Sequence, residues 1–435
     1  MTTPTAEAAR LRRASRGVFV CFALSGFNFA SWASRLPAVQ GGLGLRKDQM
    51  GLLLFAGAVA SVGALPLSGL VVERLGTKAT VAWSAALNSA GLAAAGVFAA
   101  SGSVVGTVVG LAVYGIGTAV WDASMNIEGA AVELRLGRTV MPRYHAGFSL
   151  GTVVAAALSA LLAAMHVSIG LHLPLALAVS FVAVLWSVAG FLPRADEPHR
   201  AAGDAALAHR GARGALAAWT DGRTLLVGLV VLAAALTEGS ANDWLSLSVV
   251  DGWKTPDAIG ALGLWLFVAA MTTMRWFATA LLDRFGRVAV LRLCAVLSIV
   301  GLLVFGLVGP LPVALIGVLI WGAGAAVGFP VGMSAASDDP LHAAQRVAVV
   351  STIGYSAFLA GPPVLGLIAQ HVGYRHALLV ICVPVVLGLL VMRAAAPLRR
   401  AEPEVPAAPE TQAAAENEAG SQTPAAPEPR PTLGA

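Results

Sequence analysis

Residues 237–244 read TEGSANDW, after about a dozen residues without a single charge. The stretch offers two carboxylates (Glu238 and Asp243), an amide (Asn242) and an indole (Trp244). Glu238 and Asn242 are one helical turn apart and share a face, whereas Asp243 points about 140° away from Glu238 at ~100° per residue. A carboxylate withdrawn from water holds its proton more tightly, which suits proton exchange near neutral pH. Glu238 therefore divides between a protonatable or substrate-binding group and a structural ion pair with Arg275. Asp243 is expected to face elsewhere, lining an outer vestibule or packing against a neighbouring helix.

Similar groups recur in apolar surroundings. They are Asn28, Asp122 with Asn126 one turn on, and Arg275, the one basic residue well inside an apolar stretch. An ionisable group in such a place costs about 2.5–3.5 kcal/mol on insertion scales, so each needs a partner or a water-filled cavity. Asp122 divides between such a cavity and solvation near the end of its helix. Trp32 and Trp244 divide between stacking on a flat ligand and plain packing. His145 divides between titration near neutral pH and a satisfied hydrogen-bonding role. Glu128 and Glu133 are expected at the interface. No HExxH, GxSxG or paired Cys/His set is present, and no Walker-type loop, so an enzyme centre, a metal and a cofactor are all unexpected.

The elements that must hold these groups follow from composition. Hydrophobic residues make up 57% of the 435 and charged residues 12%, against ~25% charged in ordinary soluble domains. No Asp, Glu, Lys or Arg occurs in 79–121, 144–193 or 293–337. Each run has room for two crossings of ~20 residues. The predicted fold is an all-α polytopic membrane protein. Its twelve spans are roughly 17–37, 49–72, 79–99, 103–127, 144–165, 173–192, 224–249, 258–281, 289–309, 311–334, 347–369 and 375–393. The first span follows Arg10, Arg12, Arg13 and Arg16 with no convincing cleavage site and is expected to remain as a helix. Cys21, Cys294 and Cys382 lie inside spans and read as packing residues.

Loop charge sets the orientation. One side carries 22 basic residues and the other five, which places both termini in the cytoplasm. The expected organisation is a cytoplasmic segment (1–16), a six-helix lobe (17–193), a polar linker (194–223), a second six-helix lobe (224–396) and a disordered Ala/Pro/Glu-rich tail (397–435).

The two halves repeat. SGLVVERLGTK (68–78) matches ATALLDRFGRV (278–288) at an offset of 210, YGIGTAV (114–120) matches WGAGAAV (321–327) at 207, and DQMG (48–51) matches DAIG (257–260) at 209. Internal six-span repeats are characteristic of two-lobed transporters.

The chain resembles the major facilitator superfamily over about residues 15–395. The loop signature of that family is similar to Gly69, Glu73, Arg74, Gly76 and Lys78, with a second copy at Asp283, Arg284, Gly286 and Arg287. Glu73 and Thr77 depart from the usual Asp and Arg, and Thr279 from the usual Gly. NFASWASRLPAVQ (28–40), DASMNIEGAAVE (122–133), MPRYHAGFSLGT (141–152), TEGSANDW and GYSAFLAGPPVLG (354–366) are similar to bacterial inner-membrane facilitators distantly allied to sugar–proton symporters such as the fucose permease. The resemblance implies that spans 1, 4, 7 and 10 line a cavity and that the two loop copies latch the lobes in one half-cycle. It also implies secondary active transport of a small polar solute by alternating access, coupled to protons, in the bacterial plasma membrane. The expected partners are a small-molecule substrate, protons and the lipid bilayer, with no nucleic acid and a monomeric state. Proton-driven efflux is the alternative direction. Span 5 lacks the Gly-Pro-rich motif usual in drug antiporters, which favours uptake. A polytopic enzyme or sensor is the remote alternative.

Overall fold

Inside a bilayer the backbone has no water to bond, so long apolar runs must satisfy their peptide groups within themselves as helices. The computed structural model describes residues 4–138, 140–193, 218–339 and 342–398. Among them the ordered elements are helices throughout, with no strand. Ten helices are long and apolar enough to cross a membrane, or eleven if Glu7–Ala33 and Leu36–Leu43, bent by 42°, form one span.

The longest helix, Lys47–Ala100, has 54 residues, roughly 80 Å at 1.5 Å per residue and far more than one ~30 Å crossing needs. Its helical backbone is interrupted at Gly76 (φ 78°, ψ 162°), a conformation that disfavours a Cβ. The segment is therefore two helices joined by a tight turn, at the place where spans 2 and 3 were expected to meet. The repeat is visible in the same geometry. Gly286, offset by 210, separates Asp257–Phe285 from Arg287–Leu307 with φ 78° and ψ 161°.

Spans 10 and 12 depart from single regular helices. Span 10 is Leu311–Ala325 followed by Gly328–Ala336. Span 12 begins as Tyr374–Ala377, tightens to a 3-10 turn at Leu378–Ile381 and resumes as Cys382–Val391. Pro384 explains the second case, since it lacks the N–H that the Val380 carbonyl would take in a regular α-helix. The central part of the 194–223 linker (194–217) and the tail from 399 onward lie outside the described residues.

The lobes meet where spans 2 and 11, 5 and 8, and 1 and 7 pack. Polar contacts between them concentrate at the face opposite the basic loops, here called the far face. Lys47 Nζ pairs with Asp251 at 2.6 Å and lies 5.0 Å from the Tyr374 ring centroid. Gln40 donates to the Tyr374 hydroxyl at 2.7 Å, Ser246 to the Ala33 carbonyl at 3.0 Å, and the Lys47 amide to Gln370 at 3.3 Å. Backbones touch there too: a Cβ built on Gly51 would lie 2.5 Å from the Pro362 carbonyl. The Gly-Pro-Pro element at 361–363 thus sits inside a continuous helix (Ala343–Val372) and forms the lobe contact.

Burial gives the same picture. One core joins both lobes at the far face, through Trp32, Leu36 and Met50 to Trp244, Leu264 and Phe305, and runs on through the second lobe to Val290, Ala335 and Ala395 near the basic loops. The half of the first lobe nearest the basic loops packs on a separate core around Phe22, Trp121, Met125 and Tyr144. The shared core and the inter-lobe polar contacts thus close the far face.

Candidate functional site

The break in span 10 has a local cause with a distant consequence. Ala326 and Val327 leave the helix, and Pro330, four residues after Ala326, has no N–H to offer its carbonyl. Arg275 on span 8 supplies the missing donor: its Nε donates to the Ala326 carbonyl at 2.8 Å. The same guanidinium donates through Nη2 to the Glu238 carboxylate at 2.9 Å and through Nη1 to Ser149 Oγ at 3.4 Å. A planar fork with several fixed donors can serve three acceptors at once, which an ammonium on a flexible stem would do poorly. Spans 7, 8 and 10 of one lobe and span 5 of the other thus meet at one side chain. Arg275 and Glu238 are 29% and 22% exposed, so the pair borders an open space rather than a sealed core.

Two more carboxylates stand on spans 4 and 7. Asp122 is exposed, with Asn126 Nδ2 donating to its carbonyl at 2.8 Å and its carboxylate at 3.3 Å. Asp243 is half-buried and makes no hydrogen bond or ion pair to another described residue. Asp243 lies within Coulombic range of Tyr114 on span 4, and Asp122 within that of Tyr355 on span 11. Tyr355 continues into a row of rings, 6.2 Å from Phe329 and 6.3 Å from Phe358 between centroids. His145 is exposed, edge-on to Phe22 at 5.0 Å, and within Coulombic range of Arg275. Asn242, like Asp243, is half-buried.

Other expected site residues are placed elsewhere. Asn28 is fully buried inside its own lobe, donating to Asn88 at 2.8 Å and to Ser89 at 3.5 Å. Trp32 is 4% and Trp244 1% exposed, and Trp244 packs 5.2 Å from the Tyr374 ring. Their rings are far-face core, because the closed lobes leave no open surface there. Glu128, expected at the interface, is wholly buried and accepts from Thr77 Oγ1 at 2.6 Å and the Leu192 amide at 2.7 Å. Glu133 accepts the Val140 and Met141 amides at 2.6 and 2.7 Å, where span 5 starts.

The loop signatures act within lobes in this state. Arg287 binds Asp338 through Nη1 at 2.8 and 3.0 Å, the Ala395 carbonyl at 3.3 Å and, through Nη2, Ser334 at 3.4 Å. Arg223 joins the same carboxylate at 2.8 Å. Glu128 and Thr77 stand 210 residues before Asp338 and Arg287, so the Thr that departs from the signature keeps the same connection through its hydroxyl. Glu73, Arg74, Lys78, Asp283 and Arg284 are exposed, and Gly69 is half-buried. A small apolar cavity behind the span-10 break, between Val230, Cys294, Ser298, Gly324, Gly328 and Gly388, is separate from the polar site.

Ser149, Tyr114, Tyr355 and the far-face pair Lys47–Asp251 were not singled out from sequence. Their types are ordinary there, and only the folding of one lobe against the other gives them meaning.

The Major Facilitator Superfamily model matches residues 18–355 and again 254–430. An uncharacterized transporter, y4wD, of Sinorhizobium fredii is 29% identical over 368 residues, covering 84% of this chain and 94% of its own length. Among solved structures, the nucleoside transporter NupG superposes with a TM-score of 0.72 at 16% identity, covering 88% of this chain and 98% of its own. A D-xylose-proton symporter gives 0.68 at 14% identity, covering 88% and 96%. These two likenesses establish the fold, and the family match establishes the class: the chain belongs to the major facilitator superfamily and is a multi-pass secondary transporter that works by alternating access.

Proposed function

We propose that this chain is a monomeric, proton-coupled carrier of a small polar solute, sugar-like or another metabolite, in the bacterial inner membrane, with its basic face and both termini in the cytoplasm. The state described is then closed to the outside and open to the inside. The Glu238–Arg275 pair carries the reading, because it joins a titratable group to both lobes. Protonation of Glu238 removes the anion that holds Nη2 of Arg275. The guanidinium, still bound at Ala326, is then free to shift its grip on Ser149 across the boundary. Loss or gain of one proton thereby alters the contact that sets how the lobes meet. Asn242 on the same face as Glu238, and Asp122 with Asn126, supply polar contacts for the solute.

The test uses proteoliposomes loaded with a pH-sensitive dye and exposed to a panel of monosaccharides and small metabolites. A transported solute should move protons with it in the wild type, and Glu238→Gln should uncouple solute from proton flux. Solute-driven proton movement that persists unchanged in Glu238→Gln would remove Glu238 from this role.

A further inference from the structure

We propose that the basic face of the first lobe carries a site for an anionic phospholipid, with the headgroup phosphate on Arg12, Arg13 and Arg16 and the acyl chains against Trp186 and Trp83. The inference goes beyond the transport reading and does not depend on which solute is carried.

Depth is the first argument. Four of the ten tryptophans are exposed: Trp83, Trp186, Trp219 and Trp276, at 68, 78, 45 and 79%. All four lie in the half of the molecule nearest the basic loops, and indoles on the outside of a helix bundle gather where acyl chains meet headgroups. A Cβ built on Gly17 would lie 2.6 Å from the Ser187 carbonyl, and one on Gly190 3.0 Å from Arg13 Cγ. Spans 1 and 6 are thus antiparallel neighbours, with Gly17 at the height of Trp186. Spans 3 and 6 pack in the same sense, since a Cβ on Gly96 would lie 2.8 Å from a Leu173 methyl and one on Gly170 3.0 Å from Ala100 Cβ. That register sets Trp83 at the height of Trp186. The first helix does not stop at this level but runs unbroken from Pro4 to Ala33. Arg16, Arg13 and Arg12 therefore stand roughly 2–8 Å beyond the indoles at 1.5 Å per residue. That is the headgroup layer, about 5–7 Å deep on each side of a bilayer.

Charge is the second and independent argument. Leu11, Ala14 and Val18 bury one face of the helix extension in a core with Val184 and Val188. Arg12, Arg13 and Arg16 share the opposite face within an arc of about 100°. Their side chains are exposed and form no hydrogen bond or ion pair with another described residue. Glu7, the acid on this extension, lies one turn before Leu11 on the other face. The second lobe treats its cations differently: Arg223 and Arg287 share Asp338, and Arg346 sits between Asp221 and Asp339. Three guanidiniums on one helix face, with no carboxylate of the protein against them, fit a phosphate. The indoles at their foot make it a lipid phosphate, because a soluble polyanion would gain nothing from them.

Native mass spectrometry of the purified full-length protein in detergent tests the inference, with dioleoyl phosphatidylglycerol and dioleoyl phosphatidylcholine titrated in turn. Phosphatidylglycerol should be retained about tenfold more strongly, and the preference should fall as ammonium acetate is raised. Arg13→Gln combined with Arg16→Gln should remove most of that preference. Arg292→Gln combined with Arg393→Gln, two exposed arginines of the second lobe, should leave it intact. Trp186→Ala should weaken phosphatidylglycerol binding where Trp276→Ala does not. Every substituted side chain is exposed, so these variants should melt like the wild type. Equal retention of the two lipids by the wild type overturns the proposal without recourse to any variant. Equal loss from the two arginine pairs does so too, since it would mark general surface charge. An unaffected Trp186→Ala, or displacement of the lipid by glycerol phosphate at the same concentration, likewise overturns it, because the site would then be one for a free anion.

Discussion

Arg275 is the side chain on which the site turns, because no other donor near the span-10 break can hold an acceptor on each lobe. Arg275→Lys keeps the charge and discards the fork, so transport should fall about tenfold or more while expression and monodispersity are retained. Measured initial uptake rates on protein normalised by amount would check this; full activity in the lysine variant would mean that charge alone suffices. Glu128 belongs to stability instead. Its carboxylate takes a hydroxyl and a backbone amide in a fully buried place. Glu128→Ala should cost about 1–3 kcal/mol by orphaning buried donors, read as a lowered Tm in detergent, with Thr77→Val costing less. From sequence Glu238 was expected inside an apolar span and Glu128 at the interface, whereas both lie within the helix bundle. Which one was a structural clamp was not legible there, because residue type is the same and only the partner differs.

At the scale of elements, proline and glycine carry most of the information. Pro330→Ala returns an N–H to the Ala326 carbonyl, so the break should close and Arg275 should lose one of its three acceptors. The variant is expected to be as stable as wild type or more so, and slower in transport. Melting and uptake measured on the same preparation decide it, since a joint fall in both would point to misfolding rather than a lost hinge. Gly286→Ala forces a Cβ into φ 78° and should destabilise by about 1 kcal/mol or more. The glycine turns were legible in the repeated loop. The exact carbonyl that Pro330 leaves open required only counting back four residues. Its recipient on span 8 did not follow from any count.

For the whole molecule, the far-face seal should set the balance between closed and open states. Lys47 and Asp251 are each about a third exposed or less, and such pairs contribute roughly 0–1 kcal/mol. Lys47→Glu should therefore shift the population of conformers more than it shifts the Tm. A disulfide between Lys47→Cys and Asp251→Cys should stop uptake, and a reductant should restore it. Unchanged uptake with the crosslink in place would show that this face need not open.

By itself the sequence determined the solvent, the all-helical class, the pseudo-symmetry and the short roll of charged groups that lipid would not tolerate without partners. These are properties of composition, period and offset, and they follow from the cost of exposing charge or peptide groups to hydrocarbon. Tertiary structure alone decided which of those groups share a cavity. Asn28 turned into its own lobe toward Asn88, Trp244 packed in the far-face core, and Glu238 met Arg275 beside a carbonyl freed by Pro330. The reason is that one lobe's rotation against the other places residues hundreds of positions apart side by side, and helical periodicity describes only what lies along a single span.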